Sequence, residues 1–304
     1  MPAIASPTHE RVSVTAVPDR AFSYLRLIRP ANLVTAAADI LTAAVIVGSH
    51  GNGLPWLVGA SICLYAGGVV LNDFFDRHLD AIERPERPIP AGIVSAPAAA
   101  VLGTAFMVVG IACASRVSPL SAWIALLLAG MVLLYDVFAK TRAPGPFVMG
   151  ACRALNLLLG LSLVPAALFH LWFLALLPWV YIFAVTTLSR GEVHGGSKAT
   201  SGTSLSLIAL TVIGLGVVAG FSPAGWHALL PFAALLCLRL APPLWRAFRN
   251  PAAGPIRAAV HAGIISLVLL DAALAASFGG IVLGAAILSL SVLTAELARL
   301  FPVT

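Results

Sequence analysis

The chain is 304 residues long, 60% hydrophobic and only 10% charged, with a mean hydropathy of +0.99 and a formal charge of +6. A soluble domain carries about a quarter of its residues as charges, so this chain cannot cover itself with a water-facing surface and must turn much of its exterior to lipid. The basic residues are dispersed in short loops between apolar runs, a distribution that argues against a nucleic-acid partner despite the net charge.

In lipid every backbone N–H and C=O must be satisfied internally, which leaves helices or closed barrels. Long unbroken apolar runs select helices over the ten-residue alternations of a barrel. The expectation is therefore an all-α, polytopic transmembrane bundle forming one domain over residues 1–304. The first twenty residues are polar and mixed in charge, without a short apolar core before a cleavage site, so no signal peptide is expected and the first span is retained. Apolar runs of about twenty residues fall at 33–49, 54–75, 97–115, 119–138, 147–168, 171–189, 203–221, 226–245, 257–277 and 280–300. Short breaks such as Gly51-Asn52-Gly53 and Phe169-His170 read as the turns of helical hairpins. The last pair flanks Phe278-Gly279-Gly280, which makes the total nine or ten spans.

Lys and Arg in the loops set orientation. With a cytoplasmic N-terminus, Arg11 and the other N-terminal arginines share one side with Arg77, Arg84, Arg87, Lys140, Arg142, Arg190 and Lys198, while Arg116 stands on the other. The expected location is a bacterial plasma membrane. Cys63, Cys113, Cys152 and Cys237 are scattered through apolar stretches without metal-ligand spacing and read as small packing residues.

The second span runs into Asn72-Asp73-Phe74-Phe75-Asp76-Arg77-His78-Leu79-Asp80. At 100° per residue Asn72, Asp73, Asp76 and Asp80 share one arc of about 100°, with Phe74, Phe75 and His78 pointing away. Carboxylates on one face repel one another, and hard oxygen ligands at this spacing suit Mg²⁺ held jointly with substrate phosphates. A solvated acidic helix end is the plainer alternative. The scarcity of acids weakens it, because the chain holds only 12 Asp plus Glu.

Asn72-x-x-x-Asp76-x-x-x-Asp80, with Asp73 inside it, resembles the first aspartate motif of the UbiA-type intramembrane prenyltransferases. Arg29-Pro30-x-Asn32 is similar to that family's opening, and Tyr135-x-x-x-x-Lys140 to its Tyr–Lys element. The resemblance covers nearly the whole chain. It implies a Mg²⁺-bound prenyl diphosphate at the cytoplasmic mouth of a central cavity, with Asn72, Asp73, Asp76 and Asp80 as metal-site residues. The family's second motif, two aspartates four apart before a Lys-Thr pair, is altered here. In the stretch from Leu188 to Thr200, aligned on Lys198, Glu192 replaces the second aspartate and Leu188 stands in place of the first. Glu192 is thus the one metal candidate left on that side, and helical spacing would put Leu188 on its face. Tyr135-Asp136 together with Ser189-Arg190-Gly191-Glu192-Val193 looks like the EboC-like branch.

Polar residues inside spans carry a functional hypothesis by default. Asn32, Thr35, Asp39 and Thr42 form one stripe on the first span; Asp39 either recognises an acceptor or pairs with a basic residue. Arg153, Asn156 and Gly160 line one face of the fifth span, and Arg153 either binds a diphosphate oxygen or snorkels to the surface. Lys140, Arg142, Arg190 and Lys198 fall on the metal side as diphosphate ligands or as ordinary loop charges, and the resemblance favours Lys140 and Lys198. Asp271 reads as structural, and Tyr65 or Tyr181 as aromatic faces for an allylic cation.

The resulting expectation is a transferase whose catalytic residues are Asp76, Lys140 and Arg153. Asn72, Lys140, Arg142, Arg153, Asn156, Lys198, Asn32 and Asp39 would bind substrates, and Mg²⁺ would be the cofactor. Its partners would be a prenyl diphosphate donor, a hydrophobic or amphiphilic small-molecule acceptor and the lipid bilayer. The alternatives are a degenerate relative acting in transport or assembly of a secondary-metabolite precursor, and an unrelated transporter, whose chemistry would sit at broken helices near the midplane.

Overall fold

The computed structural model describes residues 20–301, so the expectation for the first nineteen residues, Arg11 included, lies outside the described part. Twelve α-helices follow in order: α1 (Arg20–Ile28), α2 (Pro30–Val47), α3 (Leu54–Glu83), α4 (Ala96–Ser115), α5 (Pro119–Leu134), α6 (Gly145–Leu161), α7 (Pro165–Leu171), α8 (Leu176–Ser189), α9 (Lys198–Ala219), α10 (Gly225–Arg249), α11 (Ala253–Ile265) and α12 (Leu267–Leu300). A π-helical turn, Tyr135–Ala139, extends α5, and a 3-10 turn, Trp172–Ala175, joins α7 to α8. Among the described residues there is no strand. Helix starts carry their chemical markers: Ser95, Ser118 and Ser197 accept from the N–H three residues on, and Pro stands in the first turn of α2, α3, α4 and α5.

Eight helical stretches are long and apolar enough to cross a membrane, and α6 is a shorter apolar helix of 17 residues. Val101, Trp123, Leu238 and Val282 are each more than two-thirds exposed on the outer surface, where water would reject them. The protein is an integral membrane protein.

The last stretch, Ala253–Leu300, is 48 residues long. As one rod it would reach roughly 70 Å, against a hydrocarbon core of about 30 Å. It folds back instead. Gly280 has φ 84° and ψ 172°, a conformation closed to other residues. A Cβ placed on Gly284 would meet the Ala276 Cβ at 2.5 Å and the Ala272 carbonyl at 3.0 Å. In a straight helix those residues would lie roughly 12 and 18 Å away. The pair flanking Phe278-Gly279-Gly280 is therefore a helical hairpin.

One expected turn moves. The break between the fifth and sixth runs falls at Ser162–Val164, not at Phe169-His170. Pro165 has no N–H to continue α6, and the Ser162 hydroxyl is held by the Leu159 carbonyl at 2.6 Å and by Ser121 at 2.7 Å.

Small residues bring the site-bearing helices together. A Cβ on Gly67 would meet the Gly103 carbonyl at 2.8 Å, which sets α3 hard against α4. A Cβ on Gly160 would meet the Ala43 Cβ at 2.5 Å, which sets α6 against α2.

Candidate active site

Helix α3 runs unbroken through the acidic motif to Glu83, so the one-face reading of Asn72, Asp76 and Asp80 holds. Asp73 and Asp80 are buried, while Phe75 and His78 face outward. Each carboxylate meets a cation from another segment. Lys140 Nζ donates to Asn72 Oδ1 at 2.8 Å and to Asp76 Oδ2, and Asn72 Nδ2 donates to the same Asp76 oxygen at 3.3 Å. Arg87, from the loop after α3, bridges Asp80 at 2.8 Å and Asp73 at 3.2 Å. Arg29 reaches Asp73 at 2.6 Å.

Two of these cations are delivered by unusual backbone. Arg29 has φ 48° and ψ 69°, making it the single non-glycine residue of positive φ among the described residues. It stands before Pro30, which by itself disfavours a helical conformation, and the kink separates α1 from α2. Such a conformation costs on the order of 1 kcal/mol and persists where surrounding contacts over-determine it. Lys140 follows the π-helical turn, its N–H reaching the Tyr135 carbonyl at 2.9 Å across five residues. Single π turns recur at functional sites because they re-aim a side chain. Asp136 lies in this turn with its Oδ2 buried.

Beside the carboxylates lies a cavity of about 440 Å³. Its wall carries five arginines, namely Arg26, Arg29, Arg84, Arg87 and Arg257, against the three acids Asp73, Glu86 and Glu192. Arg257 donates to the Glu192 backbone carbonyl at 3.2 Å. Partial burial raises the Glu192 carboxyl above its ordinary range, and the opposing pull of Arg257 and Arg84 does not offset it.

Leu188 does not share this wall. Helix α8 ends at Ser189, and the backbone turns through Arg190 to His194, so the four-residue spacing from Leu188 to Glu192 is no longer helical. Leu188 is 2% exposed, packed among Val185, Ile208 and Leu244, while Ser189 and Glu192 face the cavity. The expected common face is corrected accordingly.

The polar stripe of α2 faces inward as expected, with Asn32, Thr35, Asp39 and Thr42 all buried. Asp39 receives Asn156 Nδ2 at 2.7 Å, and Arg153 Nε stands 2.8 Å from it. Arg153 also donates to the Thr35 carbonyl at 2.7 Å and lies 3.5 Å from Asp271. Ser61 ties Asn156 to the Ala36 carbonyl. Arg153 therefore spends its charge on two buried carboxylates and does not line the cavity. Tyr181 is fully buried, and its hydroxyl donates to the Gly263 carbonyl at 2.7 Å.

The structure brings Asn72, Asp73, Asp76, Asp80 and Lys140 together, and puts Glu192 on the cavity wall with Asp73. Arg142 is exposed and stacks on Phe138 at 3.7 Å, and Lys198 is exposed in the first turn of α9. Arg87 and Arg29 join the site without having been singled out as ligands. Arg87 follows Asp80 through an Arg84-Pro85-Glu86-Arg87-Pro88 loop, where no periodicity reports side-chain direction. Among the described residues no three acids, histidines or cysteines converge on one metal-sized point.

A family model for the UbiA prenyltransferase family matches residues 32–259. The chain belongs to the UbiA prenyltransferase family. Among its relatives is a digeranylgeranylglyceryl phosphate synthase of Methanopyrus kandleri, 35% identical over half of this chain and 59% of that protein. Another, from Natronomonas pharaonis, is 27% identical over 83% of this chain and 97% of its own length. The matched part thus spans less than two thirds of the Methanopyrus protein. The EboC-like resemblance finds no specific support in these relatives. The fold is that of a UbiA homolog from Aeropyrum pernix K1 (TM-score 0.65, 14% identity, 80% of this chain and 96% of that one). It is equally that of a digeranylgeranylglyceryl phosphate synthase structure (TM-score 0.64, 20% identity, 86% and 99%).

Proposed function

We propose that this UbiA-family protein transfers a prenyl group from a prenyl diphosphate to a hydrophobic or amphiphilic acceptor, in a reaction dependent on Mg²⁺. The observation that carries the reading is the Asn72–Asp76–Lys140 constellation beside an arginine-lined cavity of about 440 Å³. Oxygen ligands for a hard cation and guanidinium donors for phosphate oxygens meet at one end of the bundle.

Asp76, Asn72 and Asp80 would hold the metal, with Asp73 beside them. Bound there, Mg²⁺ would neutralise charge on the diphosphate oxygens. Lys140 is the cation partner of Asp76, and Arg87 and Arg29 are those of Asp80 and Asp73. With donor and Mg²⁺ bound, the same three side chains would supply donors to phosphate oxygens. The allylic C–O bond then breaks with its electron pair leaving on the diphosphate, whose growing charge meets preplaced donors. The prenyl tail lies in the apolar bundle, where water is excluded from the allylic cation. The acceptor's nucleophilic atom then bonds to the allylic carbon and gives its proton to an oxygen of the departing diphosphate, which completes the transfer.

The relatives' name describes a glyceryl phosphate bearing two geranylgeranyl groups, which supports a phosphate-bearing acceptor and a geranylgeranyl donor. The loop charges support a cytoplasmic N-terminus in a plasma membrane, with the site on the cytoplasmic side.

A second reading is a non-catalytic relative that handles a prenylated precursor. Burial of Leu188 where a further acid would be expected favours it. Mass spectrometry of lipid extracts from cells with and without the protein separates the two. An isoprenoid mass increment on a lipid found only with the protein supports transfer, and identical lipid profiles from well-expressing cells contradict it.

A further inference from the structure

The two walls of the cavity are chemically unlike. On the α3 wall stand three carboxylates, Asp73, Asp76 and Asp80, each with a basic partner. On the opposite wall, built from the end of α8 and the start of α11, the single carboxylate is Glu192. It is half-buried and stands alone there, beside the Arg257 and Arg84 guanidinium groups. Ser189, the other polar group of that segment, already donates to the Thr186 carbonyl at 3.0 Å. Asp73, which also borders the cavity, belongs to the α3 wall, where it meets Arg29 and Arg87.

What this wall does offer is guanidinium. Arg257, on α11, lines this wall, and Arg84, at the end of α3, lines the cavity within reach of the same Glu192, with Glu86 two residues on; neither arginine makes an ion pair among the described residues. Two fixed positive charges repel a divalent cation, whereas the planar fork of a guanidinium matches two phosphate oxygens at once. The residues here do not fit a second metal.

We propose that the Glu192 side of the cavity binds a phosphate group directly, between Arg257 of this wall and Arg84 at the end of α3, with no second divalent cation. The inference rests on the transferase reading for its biological ligand, but the binding itself is independent of turnover. The phosphate belongs either to the departing diphosphate or to a phosphate-bearing acceptor, and the two sources share this chemistry.

The test is calorimetric titration of the purified full chain in detergent with inorganic pyrophosphate, and separately with inorganic phosphate, in EDTA and in Mg²⁺. Pyrophosphate should bind in EDTA. Arg84→Gln or Arg257→Gln should each weaken it by roughly tenfold, the scale of a charge-assisted hydrogen bond, and the lysine variants should recover part of the loss. Unchanged melting temperatures show that the variants fold. Tighter binding of pyrophosphate than phosphate assigns the wall to the leaving group, and equal binding assigns it to a phosphate monoester of an acceptor. With Mn²⁺ as spin probe and pyrophosphate present, one ion should be bound per chain. Absence of binding in EDTA, binding indifferent to both arginines, or two Mn²⁺ ions per chain would each overturn the proposal. If pyrophosphate binds as described and no prenylated product is ever formed, the binding inference stands and the transferase reading fails.

Discussion

Lys140, placed by a π-helical turn, donates to Asp76 at the centre of the α3 face, and Asn72 completes the triangle. The proposed transfer gives the two residues separate roles, Asp76 toward Mg²⁺ and Lys140 toward the diphosphate. Asp76→Asn should abolish turnover, with a loss of at least roughly a hundredfold, while the protein remains abundant in the membrane. Lys140→Met should raise KM for the donor as well as lower kcat. Steady-state kinetics on matched membranes read both, and wild-type turnover by Asp76→Asn would remove Asp76 from the site.

The buried cluster around Arg153 is a stability element. Its guanidinium serves both Asp39 and Asp271, which are almost wholly enclosed. Removing the cation leaves two buried carboxylates unpaired, a change worth about 3–5 kcal/mol. Arg153→Met should therefore unfold at a clearly lower temperature in detergent, and Asp39→Asn with Asp271→Asn should restore much of the loss. Equal melting temperatures for Arg153→Met and wild type would show that the cluster contributes nothing.

The two residues at the end of α8 should respond oppositely to the same substitution. Leu188→Asp buries an unpaired carboxylate in the apolar core and should cost several kcal/mol, seen as lost expression or a depressed melting temperature. Ser189→Asp places the carboxylate at the cavity wall and should be tolerated. A stable Leu188→Asp with strengthened Mg²⁺ binding would contradict the packing described for Leu188.

Glu192 gives the cavity a pH dependence. Its carboxyl titrates above the ordinary value of 4.5 because burial disfavours the charge. Lowering the pH toward and through that raised value neutralises it and removes repulsion of an anion. Sulfate keeps its charge throughout, so sulfate should bind more tightly as pH falls, and Glu192→Gln should bind tightly with a flatter profile. Identical profiles for the two proteins would exclude Glu192 as the group responsible. The same sign holds for folding: the folded state binds this proton more readily, so the contribution of Glu192 to stability falls as pH rises through the raised value.

Much of this architecture was legible in the sequence for simple reasons. The acidic face of α3 followed from helical periodicity, because Asn72, Asp76 and Asp80 lie on a helix that continues past the apolar run. The inward stripe of α2 followed from the cost of polar groups in lipid. The hairpin at Gly280 was marked by its glycines. Periodicity fails where the backbone leaves the helix. Arg87 lies in a proline-rich loop, Arg29 is aimed by a left-handed residue, and Leu188 and Glu192 are separated by a helix end. Asp271 lies 118 residues from Arg153 in the chain, and only packing of α12 between other helices brings them together.

Topology has its own check. In a chain cleared of its four cysteines, Gly92→Cys should react with an impermeant reagent from the cytoplasmic side, and Asn52→Cys from the opposite side. Reversed labelling would place the acidic motif on the other face of the membrane.

The proposed cleavage of a prenyl diphosphate by Asp76, Lys140 and the arginine cavity can be measured in a defined system. Purified protein in lipid nanodiscs, supplied with radiolabelled geranylgeranyl diphosphate, Mg²⁺ and an extracted lipid fraction as acceptor, tests it most directly. Labelled lipid product and stoichiometric pyrophosphate are expected from the wild type, and neither from Asp76→Asn nor in EDTA. Product formed equally by wild type and Asp76→Asn, or no product from folded wild type that binds the donor, would contradict it.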